Sequence, residues 1–337
     1  MSAGVARRAA CLVGDIGATR SLLELFAERD GALRSVHEIS CASGNYASVD
    51  ALLDEFFAQA GVAPGDVEAA CFSVAGPVDG GVSALTNLDW RIDAAALGAR
   101  YAIPEVRLLN DFAAVGHGIA SLGEHDSVTI QRAKAQPHGT RLVIGAGTGL
   151  GVGVLTWQGS GYAVHSSEGG QTDFAPLDEM QDALLASLRP AFGRVSYERV
   201  VSGPGLLRIF SFLQNTGAGL PSRQLLDAMQ RQDEAAAICE FAAGKFDPLA
   251  VRALDLFIAV YGAFAGNMAL TTLSRGGVYI AGRIARQIPG RLGDGSFVRA
   301  FTDKGRFADL LRRYPVHIVT DPKVGLKGAL NYLRTNG

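Results

Sequence analysis

Two periodicities alternate along this chain, and the places where one gives way to the other locate its elements. Residues 10–16 form an apolar run and 21–27 another, joined by Gly17-Ala18-Thr19-Arg20, which predicts strand, tight turn, strand. A third strand is expected over 36–41. Between 46 and 60 the apolar residues Val49, Leu52, Leu53, Phe56 and Phe57 recur at helical spacing. Residues 69–75 read as a strand stopping at Gly76-Pro77, 86–90 as a loop, and 93–101 as a short helix. A short apolar run over 106–109 then stops on Asn110-Asp111, after which Phe112 and small residues begin a helix-like pattern.

The pattern then restarts. Strands are expected over 142–145 and 152–156, joined by Ala146-Gly147-Thr148-Gly149-Leu150-Gly151. A polar loop over 166–173 is followed by helical segments at 178–191, 205–213, 223–230 and 249–273. Strands at 277–281 and 316–320 and a helix at 324–333 complete the chain. Two copies of strand, Gly/Thr turn, strand and later helices predict two α/β domains with a cleft between them.

Composition narrows the class. Hydrophobic residues make up 48% and charged residues 19%, so a packed core is expected rather than disorder. A net charge of −2 offers no basic footprint for nucleic acid or an anionic membrane. The long apolar tract 253–273 contains Asp255, Gly262, Gly266 and Asn267, which suits a core helix rather than a membrane span. Cys11, Cys41, Cys71 and Cys239 are widely separated and no His cluster accompanies them, so zinc-type spacing is absent. Buried reduced thiols fit a cytoplasmic protein.

Several chemistries are excluded by motif. The run Gly145-Ala146-Gly147 needs glycine at 150 for a dinucleotide fingerprint, and Leu150 stands there. No GxxxxGK[ST], HExxH, GxSxG or protein-kinase signature occurs. The two Gly/Thr turns, however, offer backbone N–H groups and a hydroxyl where phosphate oxygens can sit, or are ordinary hairpin turns. Asp15 heads the first, where a carboxylate can hold a hydrated Mg²⁺ near phosphates. Asp111, at a strand's carboxyl end, either caps the next helix or does chemistry. Glu168 and Glu198 lie in polar segments, where they either accept hydrogen bonds from vicinal sugar hydroxyls or are solvated. For Glu198 the bland reading is a surface ion pair with Arg199 or Arg194.

Taken together, Val13-Gly14-Asp15-Ile16-Gly17-Ala18-Thr19, Leu109-Asn110-Asp111-Phe112, Gly145 to Gly151, Glu168-Gly169-Gly170, Phe174-Ala175-Pro176, Glu198 to Gly205 and Ile280-Ala281-Gly282 resemble the bacterial glucokinase family, in the family's order and over nearly the whole chain. The absence of a zinc-binding His/Cys cluster places the resemblance with the zinc-free group. It implies an α/β, two-domain actin/hexokinase-like (ribonuclease H-like) ATPase fold with an interdomain cleft, divided as 1–121 plus 321–337 and 122–320. It implies ATP-dependent phosphorylation of glucose at the 6-hydroxyl in the cytoplasm, with ATP, Mg²⁺ and a homodimer, and with neither nucleic acid nor membrane as partner. Asp111 matches the family's general base. Asn110, Glu168 and Glu198 match sugar ligands, with Gln171 and Asn87 as further sugar contacts. Gly14, Asp15, Ile16, Gly17, Ala18 and Thr19 match the first phosphate turn, Thr148 and Gly149 the second, and Gly282 a turn beside adenosine. Asp15 is the expected Mg²⁺ contact, through water.

Three departures fall in ligand-facing places. The family's Asp-x-Gly-Gly-Thr-Asn has Ala18 and Arg20 here, which puts a methyl at 18 where φ > 0 would be strained and a cation beside the turn. The family's Glu-Gly-Gly-His ends on Gln171. The second glycine of the adenosine turn is Arg283. A different sugar preference, or a weakly catalytic relative acting as a sensor, is the alternative these changes raise.

Overall fold

The computed structural model describes residues 10–85, 88–123 and 125–336. It divides into two units, Met1–Ser121 with Lys323–Gly337, and Leu122–Pro322. In the first, β1 (Ala10–Ile16), β2 (Arg20–Arg29) and β3 (Ala32–Ala42) form a meander, followed by α1 (Val49–Ala60), β4 (Ala69–Val74), the short hairpin β5 (Val82–Ala84) and β6 (Arg91–Asp93), α2 (Ala94–Tyr101), β7 (Glu105–Asn110) and α3 (Asp111–Ile119). The main sheet runs β3-β2-β1-β4-β7, antiparallel across the meander and parallel from β1 to β4 to β7.

The parallel register aligns the strand ends. Ile16 pairs with Val74 and Val74 with Asn110, so the carboxyl ends of β1, β4 and β7 finish level. Alternation along the strands sends Leu12, Leu23, Leu25 and Phe72 to one face, where they pack with Phe56 and Leu97 of α1 and α2. Val13 and Cys71 go to the other face, against Leu326, Ala329 and Leu333. Those last three belong to the terminal helix, which returns to this unit after the second is complete.

The second unit holds β8 (Ser127–Gln131), β9 (Arg141–Ala146), β10 (Leu150–Trp157), β11 (Tyr162–Ser167), then α4 (Glu179–Phe192), α5 (Gly203–Asn215), α6 (Arg223–Arg231), α7 (Glu234–Ala243) and α8 (Pro248–Thr272). β12 (Gly277–Ala281), the short helices α9 (Arg283–Gln287), α10 (Pro289–Leu292), α11 (Ser296–Thr302) and α12 (Ala308–Leu311), and β13 (Val316–Val319) follow, and α13 (Val324–Asn336) is the returning helix. Its sheet order is β11-β10-β9-β12-β13-β8. α8 has the length and hydropathy to cross a membrane, but 72% of its apolar window is buried in the core with Phe257, Tyr261 and Phe264 at its centre.

Elements missing from the apolar pattern have local reasons. β8 is an edge strand of alternating polar residues with Val128 exposed. α7 buries small alanines, which carry little periodic signal. All four cysteines are free thiols, and burial pushes Cys71 and Cys239 up to about 12, so neither is poised as a nucleophile.

Candidate active site

The side chains singled out by the sequence fall in two groups, one in each unit. In the first unit Asn110 is the residue that caps α3. Its Oδ1 accepts from Phe112 N at 3.0 Å and Ala113 N at 3.3 Å, and its Nδ2 donates to the Gly76 carbonyl at 3.1 Å. Asp111 is the first residue of the helix, and its Oδ1 accepts from Phe112 N at 2.9 Å. The cap of α3 is thus Asn110, with Asp111 beside it as the first helical residue. Asp111 lies at the positive end of the α3 dipole, where a carboxylate is favoured.

Asp15 stands one residue before the end of β1, level with Ser73 of β4, whose hydroxyl donates to Asp15 Oδ1 at 3.1 Å. Two strand spacings, roughly 10 Å, separate β1 from β7, so Asp15 and Asp111 share one edge of one sheet. Ser73 escaped the sequence reading, although a lone hydroxyl in the apolar run Ala69-Ala70-Cys71-Phe72-Ser73-Val74 was the available signal.

The first turn is a hairpin closed by Gly17 N donating to Arg20 O at 3.1 Å. Ser43 buttresses it, its hydroxyl donating to Gly17 O at 2.6 Å and its N–H to Thr19 O at 3.1 Å. Thr19 is exposed, and Ala18 partly so. Two matched residues contribute backbone only: the Ile16 side chain is fully buried in the core, and Gly14 lies inside β1 against Leu23 and Phe72.

In the second unit the turn Gly147-Thr148-Gly149 joins β9 to β10, with Gly147 N donating to Gly149 O at 2.9 Å and Gly203 N to Gly147 O at 2.8 Å. Thr148 is exposed. Glu198 lies against this turn. Its Oε2 accepts from Leu150 N at 2.9 Å and its Oε1 from Gln171 Nε2 at 2.9 Å. A Cβ on Gly149 would sit 2.6 Å from Glu198 Oε2, so any side chain there would displace the carboxylate. Glu198 therefore makes neither of the expected ion pairs: Arg194 bonds Asp173 at 2.8 Å, and Arg199 stacks on Phe192. Glu168 is exposed at the head of the same loop. Gly282 precedes α9 with φ of 90°. Asn87 lies outside the described residues.

Comparison with known proteins decides the family. The glucokinase family model matches residues 12–336. The chain is 41% identical to a glucokinase of a Nostoc species over 94% of this chain and 97% of that protein. It is 40% identical to one of a Synechocystis species, covering 94% and 96%. The crystal structure of a glucokinase from an Antarctic psychrotroph superposes with a TM-score of 0.79 at 27% identity, covering 97% of this chain and 99% of that one.

The chain belongs to the glucokinase family. Its fold is the actin/hexokinase-like fold shared by solved glucokinases and ROK-family sugar kinases.

Against the glucokinase pattern, each departure has a structural home. Among the described residues the non-glycine positions with positive φ are Asp30, Ala102, His138, Lys245 and Leu273, so the methyl of Ala18 strains no backbone. The Arg20 side chain is engaged by β3, its Nε donating to Ser40 Oγ at 2.8 Å. The Arg283 guanidinium pairs with Asp233 at 3.1 Å beside the N-terminus of α7. Gln171 keeps a donor where glucokinases have histidine, and directs it to Glu198.

Proposed function

We propose that this chain transfers the terminal phosphoryl group of ATP to the 6-hydroxyl of glucose, giving glucose 6-phosphate at the entry to glycolysis. The observation that carries the reading is the separation of cap from carboxylate at Asn110-Asp111, in a chain 41% identical to a glucokinase. With α3 capped by its neighbour, Asp111 acts as the general base. It accepts the hydroxyl proton as the new O–P bond develops, and phosphoryl transfer asks otherwise for alignment and charge stabilisation.

Asn110, Glu168, Glu198 and Gln171, with Asn87, position the sugar hydroxyls. Backbone N–H groups of Ala18 and Thr19, and of Thr148 and Gly149, donate to phosphate oxygens, with Gly17 closing the first turn, and Gly282 lies beside the adenosine. Among the described residues no group of three or more His, Cys, Asp or Glu gathers as a metal cage. A single carboxylate, Asp15, oriented by Ser73, fits Mg²⁺, which typically keeps its waters and takes most other oxygens from substrate phosphates. When bound, the ion neutralises charge developing on the transferred group. The enzyme is assigned to the cytoplasm, as a homodimer.

A coupled ADP-release assay with purified protein across glucose, mannose, fructose and glucosamine tests the reading. Turnover is expected with glucose, and its loss on chelation of Mg²⁺. Release of ADP with another hexose and not with glucose would replace the substrate. Thermal stabilisation by glucose without turnover would replace catalysis with sensing.

A further inference from the structure

Alternation along the strands divides the second unit's sheet into two faces. On one, Ile144, Ile280 and Ile318 lie side by side in the core. On the other, near the amino end of β9, a row of rings flanks a cation. Tyr162 of β11 pairs with Trp157 of β10, and Tyr279 of β12 pairs with His317 of β13. Arg141, the first residue of β9, stands on the strand between these two pairs. The Trp157 and Tyr162 rings meet edge to face at 5.2 Å, and those of Tyr279 and His317 stack at 5.1 Å. His138, which is exposed, adds a ring 4.1 Å from Trp157; the others are half-buried.

Arg141 has no counter-charge. Its guanidinium lies 4.3 Å from the centre of the Tyr162 ring. Among the described residues it makes no ion pair and no hydrogen bond, and its buried Nε has no partner. Its charge reaches the neighbouring rings. Burial lowers the His317 imidazole and Arg141 lowers it further, while burial raises the Tyr279 phenol and Arg141 opposes the rise. A guanidinium is always charged, and a partly desolvated charge is costly until it is paired. The cation–π contact offsets part of that cost.

We propose that this row binds a planar aromatic anion, with a phosphate or carboxylate group meeting Arg141 and the attached ring packing on Trp157 and Tyr162. Either anionic group offers two oxygens to the guanidinium fork, and flat rings pack edge to face or offset against their neighbours. Arg141 precedes Gly147 of the phosphate-type turn by six positions, ~20 Å at the rise of a strand. The site is therefore apart from that turn, and the inference does not rest on glucose phosphorylation.

Trp157 makes the site observable, because the other tryptophan, Trp90, is buried in the first unit. Phenyl phosphate, benzoate and AMP are titrated into the full-length protein while tryptophan emission is followed. A saturable change is expected, and the tightest of the three distinguishes a nucleotide from a simpler aromatic acid. Phenol, which lacks the anionic group, is expected to bind at least ~10-fold more weakly than phenyl phosphate, and Arg141→Gln to weaken phenyl phosphate by a similar factor. Arg141→Lys keeps the charge without the planar fork and should fall between. Trp157→Phe should lose the signal.

Thermal melts establish that each variant is folded, and Arg141→Lys with the phenol comparison carries the test if Arg141→Gln does not fold. No saturable change with any of the three anions, equal affinity for phenol and phenyl phosphate, unchanged affinity in folded Arg141→Gln, or a full signal in Trp157→Phe overturns the proposal. Sedimentation tests the other occupant: a smaller species in Arg141→Gln than in wild type would assign the row to contact between copies of the chain, and so overturn the ligand site.

Discussion

Asp111→Asn separates the two roles that a carboxylate at a helix start can play. The substitution keeps an oxygen able to accept the Phe112 N–H, a bond of 2.9 Å in the native protein. It leaves untouched the cap supplied by Asn110 to Phe112 and Ala113. The missing negative charge in the first turn contributes ~0.3–1 kcal/mol, a fall in Tm of roughly 1–4 °C. An amide cannot take the hydroxyl proton, so kcat is expected to fall by ~10²–10⁴, roughly 3–5 kcal/mol of barrier. Glucose KM should change little, because binding does not require proton transfer. Asn110→Ala is the control. It removes the cap, worth ~1 kcal/mol, and the bond to Gly76, worth about as much again, so its Tm should fall further. Coupled ADP release at saturating substrates and a thermal melt on the same preparations give both readings. A kcat within tenfold of wild type in Asp111→Asn, or a Tm loss there exceeding that of Asn110→Ala, would refute the division of labour.

Two further predictions concern the frame. A Cβ on Gly328 of α13 would lie 1.7 Å from the Ala114 carbonyl of α3, so Gly328→Ala should destabilise the first unit by ~1–3 kcal/mol or more, read by chemical denaturation; a midpoint equal to wild type would contradict the close approach. Burial holds the His117 imidazole below its ordinary 6.5, and burial with Arg141 nearby does the same for His317. The unfolded chain therefore binds more protons below about 6.5 than the folded one, so stability falls as pH drops through that value. Acidification from pH 7.5 to 5.5 should lower Tm in wild type and lower it less in His117→Gln/His317→Gln; an equal slope in the two would refute the linkage.

Much of the site was legible because its signals are local. The turn residues 17–20 and 147–149, the polar stop at Asn110-Asp111 and the helical spacing of α1 depend on neighbours a few residues away. The cap at Asn110 was missed in favour of Asp111 because both residue types serve, and which one holds the cap position is decided by β7 ending at Asn110, level with Val74.

The order of apolar runs and Gly/Thr turns thus determined, unaided, an α/β chain of two repeated units with candidate carboxylates at strand ends. Only the tertiary structure decided what those groups touch. Ser73 meets Asp15 across 58 residues, Gln171 meets Glu198 across 27, and Arg283 meets Asp233 across 50. Hydrogen bonds are short and directional, so such partners depend on strand order and loop docking, which no residue's immediate neighbours encode. Arg20 turning to Ser40 and Ala18 keeping a negative φ are of the same kind: the residue types were plain in the chain, and their consequences were set by backbone and neighbours that folding brings together.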